Sequence, residues 1–210
     1  MVEDKKEKIS RPLILRPGDI FLSRNPMSLG RLINWVQTFT SKDNRSVYSH
    51  AGVILDYKAT TFEALWTNRC QNFFEAYKNK QVLIARHQDM DSKRAIDGWN
   101  GVKHHEGKIY AGHRLLFFLL CPPLAKYFSL GMAVCSELTM KFLCKAGLST
   151  CWRGFNPDDV HDMVTNWRKY TVIYEGILPQ NSGDFGRQQH DDPYIDNYRK
   201  VEMTDVKPAV

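Results

Sequence analysis

Short runs of β-branched and aromatic residues occupy the first half of the chain, and apolar residues at helical spacing dominate the second. After the turn at Pro17 and Gly18, an alternating run opens at Asp19 and continues through Phe21, which predicts a strand. "SLGRLINWVQTFT" follows with Leu29, Leu32, Ile33 and Val36 at helical spacing behind Ser28, a candidate N-cap. The runs "VYSHAGVIL" and "TTFEALW", joined by the polar "DYKA", predict an antiparallel hairpin. "QVLIARHQ", from Gln81 to Gln88, predicts a further strand after "NFFEAYKNK".

Beyond residue 90 the period changes. One helix is predicted from Lys93 toward Val102 with a break at Gly107, and a second, strongly apolar one ends before Pro122. "CSELTMKFLCKAGL" predicts a third, with Leu138, Phe142 and Leu143 on one face and Gly147 as its stop. "NPDDVHDMVTN" opens a fourth, with Pro157 in its first turn and two aspartates facing the positive end of its dipole. "YTVIYEGIL" closes as a strand. Strands gathered before helices predict an α+β domain, a small antiparallel sheet packed against helices. That domain is expected over residues 13–178, between a charged lead-in at 1–12 and a polar, turn-rich tail at 179–210.

Composition narrows the class. A chain of 210 residues with 43% hydrophobic and 12% aromatic content is sized for one core and excludes disorder throughout. The net charge of +6 is spread among acidic residues and forms no one-sided basic stripe. This argues against nucleic acid as a partner and leaves an anionic membrane surface open. "MVEDKKEKIS" lacks the apolar centre of a secretory signal. "LLFFLLCPPLA", Leu115 to Ala125, is roughly half the length of a bilayer-spanning helix and is cut by Pro122 and Pro123. A cytoplasmic location is expected. The cysteines, Cys70, Cys121, Cys135, Cys144 and Cys151, are odd in number and contain no Cys-x-x-Cys pair, so reduced thiols are expected and a zinc site is not. The neighbours His104 and His105 point about 100° apart on a helix and are expected on the surface, with neither metal nor cofactor.

Nucleophilic chemistry by a thiol requires a stabilised thiolate, a histidine to carry the proton, and a polar group to orient the imidazole. Cys135 opens its helix, where free N–H groups and the helix dipole favour an anion and can also hold an oxyanion; Cys70, Cys121 and Cys144 read as packing. His50 and Glu63 lie in the two runs of the hairpin, and a turn around Lys58 puts them opposite each other on one face. Trp66 follows the Glu63 strand closely enough to line a cleft, and His113 opens the apolar helix beside it. Phe73, Phe74 and Tyr77 of "FFEAY" read as core, with an acyl or lipid groove beside the thiol as the alternative use of these apolar elements.

Taken together and in order, "RPGDIFL", "SHAGVIL", "TFEAL", "GKIYAG", "VCSELTMKFLCKAGL" and "NPDDV" resemble the circularly permuted, YiiX-like branch of the NlpC-type papain-like cysteine hydrolases. The resemblance spans Leu15 to Leu178. In that branch the histidine strand precedes the cysteine helix. The resemblance implies a permuted papain-like fold, with Cys135 as nucleophile, His50 as general base and Glu63 as the residue that orients it. It implies attack on an amide, ester or thioester through an acyl-enzyme, with no metal. Asp19 of the "GDI" turn is implied to be structural or to line the rim, and Ser136 is grouped with Asp19, Trp66 and His113 as a cleft candidate. Peptide amides, including cell-wall peptides, rank first as substrates and lipid esters second. The competing classes are a non-catalytic peptide- or lipid-binding module on the same fold and a partner-recruiting protein that uses its basic surface and tail.

Overall fold

The computed structural model describes residues 13–24, 48–65, 67–108 and 135–179. The predicted helix over 28–37, the apolar helix before Pro122, Trp66, His113, the charged lead-in and the tail beyond 179 lie outside the described residues.

Six strands form one antiparallel sheet: β1 (Ile20–Ser23), β2 (His50–Ile54), β3 (Thr60–Ala64), β4 (Asn68–Asn72), β5 (Gln81–His87) and β6 (Tyr170–Ile177), in the order β4-β3-β2-β1-β5-β6. Among the described residues four α-helices accompany it: α1 (Phe73–Tyr77), α2 (Ser92–Val102), α3 (Cys135–Lys145) and α4 (Pro157–Asn166). The chain is therefore α+β, as the pattern predicts.

Strand alternation sorts the side chains into two cores. Ile20, Leu22, Ala51, Val53, Phe62, Leu83 and Ala85 face a layer built from α2, α3 and α4, whose Val102, Leu138, Phe142, Val160 and Met163 complete that cluster. Phe21, Ile54, Val82 and Ile84 face the other way and pack with Phe73, Phe74 and Tyr77 of α1 and with Leu13, Leu15 and Leu178. The β2 and β3 strands are buried almost throughout, so a polar side chain there has no solvent to fall back on.

Helix boundaries follow local chemistry. Asp91 caps α2 by accepting from the Arg94 N–H at 2.8 Å, and Asn156 and Asp159 form a reciprocal capping box at α4. Gly147, with φ of 71°, stops α3 as expected, and the Leu148 N–H returns to the Leu143 carbonyl at 2.9 Å. α2 lies close against α3 because Gly98 has no Cβ; one built there would sit 2.9 Å from the Phe142 ring.

Three expectations are corrected. The β4 strand "NRCQN" is missing from the sequence reading because it lies at the edge of the sheet, half exposed and polar, with no apolar alternation to reveal it. His105 is buried, whereas His104 is exposed as expected, because a 3₁₀ turn at Lys103–His105 replaces the helical continuation. The hairpin register is shifted by two: Gly52, not His50, stands opposite Glu63. The shift comes from the turn, where Asp56 accepts from the N–H groups of Lys58 and Thr60, both at 2.9 Å, and Ala59 takes φ of 62°.

At Gly52 the missing Cβ leaves the space filled by the Phe21 ring; a Cβ would lie 2.4 Å from that ring and 3.1 Å from the Glu63 Cβ. Gly52→Ala should therefore lower the unfolding free energy by about 1–3 kcal/mol, as overpacking of a filled core does, measured by urea denaturation.

Candidate active site

The site begins with a carboxylate that has no exposure. Glu63 projects from β3 onto the face that Phe21 and Tyr77 cover, and each of its oxygens accepts two hydrogen bonds. Oε1 accepts from Thr61 Oγ1 at 2.8 Å and Gln71 Nε2 at 2.7 Å. Oε2 accepts from His50 Nε2 at 2.6 Å and from the Tyr77 hydroxyl. Burial alone would push this carboxyl up, but the imidazole, the phenol and the threonine hydroxyl outweigh it and hold Glu63 below its ordinary value of 4.5.

His50 opens β2 diagonally across the ladder from Glu63. A diagonal pair starts about 7–8 Å apart at the backbone, and two long side chains converging over Gly52 close that gap. The imidazole lies between Phe21, at 6.1 Å between ring centres, and Tyr77, stacked at 6.5 Å. With Nε2 donating to Glu63, Nδ1 is left to face the thiol. Burial pushes His50 down, yet the hydrogen bonds to Cys135 and Glu63 win and raise it to about 10.

Cys135, 5% exposed, is the first residue of α3 and belongs to the core on the helix side of the sheet. Its thiol hydrogen-bonds His50 and receives the backbone N–H groups of Ala51 and Ser136; burial opposes ionisation, and these contacts overcome it, so the thiol titrates below its usual 9.0. The start of α3 is tied down by its neighbours. Ser136 Oγ donates to the Phe155 carbonyl at 2.6 Å, and Glu137 accepts the Gly154 N–H at 3.0 Å. Cys135, His50 and Glu63 are thus brought together, although they come from a helix and two strands and two of them lie 85 residues apart.

Of the cleft candidates, Asp19 and Ser136 lie among the described residues. Asp19 is buried, with both oxygens bound by the Arg86 guanidinium at 2.8 Å and one also by the Arg16 N–H at 2.7 Å, so it straps the start of β1 to β5. Ser136 contributes its backbone N–H to the sulfur, while its hydroxyl serves the loop before α4. Thr61, Gln71 and Tyr77 are the residues that sequence reasoning missed. Thr61 was within reach, two positions before Glu63 and hence on the same face. Gln71 depends on the unrecognised β4, and Tyr77 reads as core, which its ring is, while its hydroxyl serves the carboxylate.

No family model matches this chain, and no curated protein matches it in sequence. Among solved structures, the metalloprotein yiiX from Escherichia coli O157:H7 has a similar fold, with a TM-score of 0.56 at 14% identity, covering 78% of this chain and 99% of that one. The likeness defines a YiiX-like α+β fold for this chain. The metal named for that relative does not fit the described residues: no group of three or more His, Cys, Asp or Glu side chains among them is arranged to hold a metal ion, and all four hydrogen bonds on Glu63 are already committed.

Because the folded Glu63 titrates below 4.5, its contribution to stability is complete above that pH and is lost as the pH falls through the lower folded value. Glu63→Gln should cost about 3–5 kcal/mol at neutral pH, as breaking a buried pair does, and should flatten the acid limb of the stability curve. Chemical denaturation from neutral pH downward measures both.

Proposed function

We propose that this chain is a cysteine hydrolase or acyltransferase on a circularly permuted papain-like fold, with Cys135 as nucleophile, His50 as general base and acid, and Glu63 as the group that orients the imidazole. The supporting observation is the continuous buried hydrogen-bond chain from Glu63 through His50 to the Cys135 thiol. The YiiX-like fold agrees with this reading through its architecture.

In the resting site the proton sits on His50 and the charge on sulfur. Cys135 Sγ attacks the carbonyl carbon, a C–S bond forms, and the carbonyl π electrons move to oxygen. N–H groups at the start of α3 are the candidate donors to that oxyanion. His50 then gives its Nδ1 proton to the leaving amine or alkoxide as the C–N or C–O bond breaks. Water or a second acyl acceptor, deprotonated by the same nitrogen, attacks the acyl carbon; the C–S bond breaks, the product leaves, and the thiolate and protonated His50 are restored. Glu63 never takes the proton; it fixes the tautomer and offsets the charge on the imidazolium. Peptide amides are the first substrate class and lipid esters the second, and residues 13–178 are assigned to the catalytic unit.

Alkylation tests this without a known substrate. Iodoacetamide modification of Cys135, followed across pH and mapped by mass spectrometry to separate it from the exposed Cys151, should reach its plateau below about pH 8. His50→Ala should slow the reaction about tenfold or more at pH 7, because an unassisted thiol is a few per cent ionised there. A Cys135 that stays unmodified until the protein unfolds would overturn the proposal.

A further inference from the structure

The helix that begins at Cys135 carries a second polar cluster farther along. Lys141, half-buried, donates from Nζ to His105 Nε2 at 2.6 Å, and its ammonium lies 5.2 Å from the centre of the Trp152 ring. The Arg153 guanidinium sits over the same ring at 5.1 Å. An imidazole that accepts from an ammonium is neutral, and burial together with Lys141 holds His105 down to about 4. Lys145 and Lys108 lie near enough to act on this ammonium: after burial, they and Arg153 are what lower Lys141.

Among the described residues, none of Lys108, Lys141, Lys145 and Arg153 makes an ion pair. Glu106, next to His105, turns instead to the Cys70 thiol. Converging like charges, one of them partly desolvated, destabilise a fold unless something offsets them. Simpler roles account for single members. Lys145 sits in the last turn of α3, where the dipole favours a cation, and the Lys141 stem packs along Trp152. Neither role explains why Lys108, Lys145 and Arg153 gather around a half-buried Lys141 whose own partner is an imidazole kept neutral.

We propose that this cluster binds a phosphate group, with Lys141, Lys108 and Arg153 donating to its oxygens and Trp152 forming the apolar side of the site. A carboxylate would offset one charge. A phosphomonoester carries up to two and offers three acceptor oxygens to donors that approach from several directions. Lys145 adds long-range attraction from the edge. The site is separate from the thiol: Lys141 follows Cys135 by six residues, about 9 Å along the helix axis, so its failure and that of the hydrolase reading are distinguishable.

Inorganic phosphate, titrated into the full chain at constant ionic strength and followed by the histidine ring signals in NMR spectra, tests the proposal. The His105 signal should move saturably, and Lys141→Gln and Arg153→Gln should each weaken binding about tenfold, the value of one charge-assisted hydrogen bond. Arg153 is exposed, so its variant reads binding without threatening the fold. Lys169→Gln, which removes a distant cation paired to Asp89 at 3.0 Å, should leave the affinity unchanged. Vesicles of phosphatidylcholine with and without phosphatidate identify the source. Phosphatidate-dependent co-sedimentation that Lys141→Gln abolishes supports a lipid headgroup, and phosphate binding without it supports a soluble phosphomonoester. A shift that chloride reproduces, or an affinity for phosphate that Lys141→Gln and Arg153→Gln leave unchanged, overturns the proposal.

Discussion

A carboxylate charge with no water around it is the constraint from which the rest of this site follows. Glu63 has no exposure, and a buried charge persists when it is paired and fully hydrogen-bonded. Thr61, Gln71, Tyr77 and His50 meet that demand from two neighbouring strands, the short helix α1 and the start of β2. Three of these donors are neutral, so the imidazole is the partner that can supply a balancing charge. The need to keep Glu63 ionised therefore raises the proton affinity of His50, and a strongly basic His50 lowers that of the Cys135 thiol. Stability and the ionisation of the thiol draw on one electrostatic chain.

The scaffold explains how that chain is held. Because strands alternate, His50, Gly52 and Glu63 share the face opposite α2, α3 and α4, while Cys135 belongs to the helix side. The thiol meets the imidazole because His50 is the first residue of β2 and Cys135 the first of α3, so both sit at element ends, where the sulfur also meets the Ala51 N–H. Phe21 fills the space above Gly52 and walls the imidazole in. Asp19 and Arg86 lock the strand that carries Phe21 to β5.

Much of this arrangement was legible in the sequence. Apolar alternation marks β1, β2, β3, β5 and β6, helical spacing marks α2, and terminal signals at Gly147 and Pro157 mark α3 and α4. A histidine and a glutamate in runs otherwise destined for burial stand out because such positions need partners. What was not legible depends on contacts between elements. The turn geometry at Asp56 and Ala59 moved the register by two, yet the pair survives because a two-residue shift keeps both side chains on one face. β4 is polar and pairs along an edge, so no periodicity announced it or the Gln71 it brings to Glu63. Tyr77 reads as core from its ring, and its hydroxyl gains a role when α1 folds over the carboxylate.

The most direct test of this electrostatic chain is the ultraviolet absorbance of the thiolate, taken as the difference between the native chain and Cys135→Ser across pH. The account predicts that thiolate absorbance persists below about pH 8 and that Glu63→Gln moves its onset upward, because the imidazolium loses its counter-charge. A thiolate that appears at or above about pH 9 in the native chain, with Glu63→Gln making no difference, would contradict it.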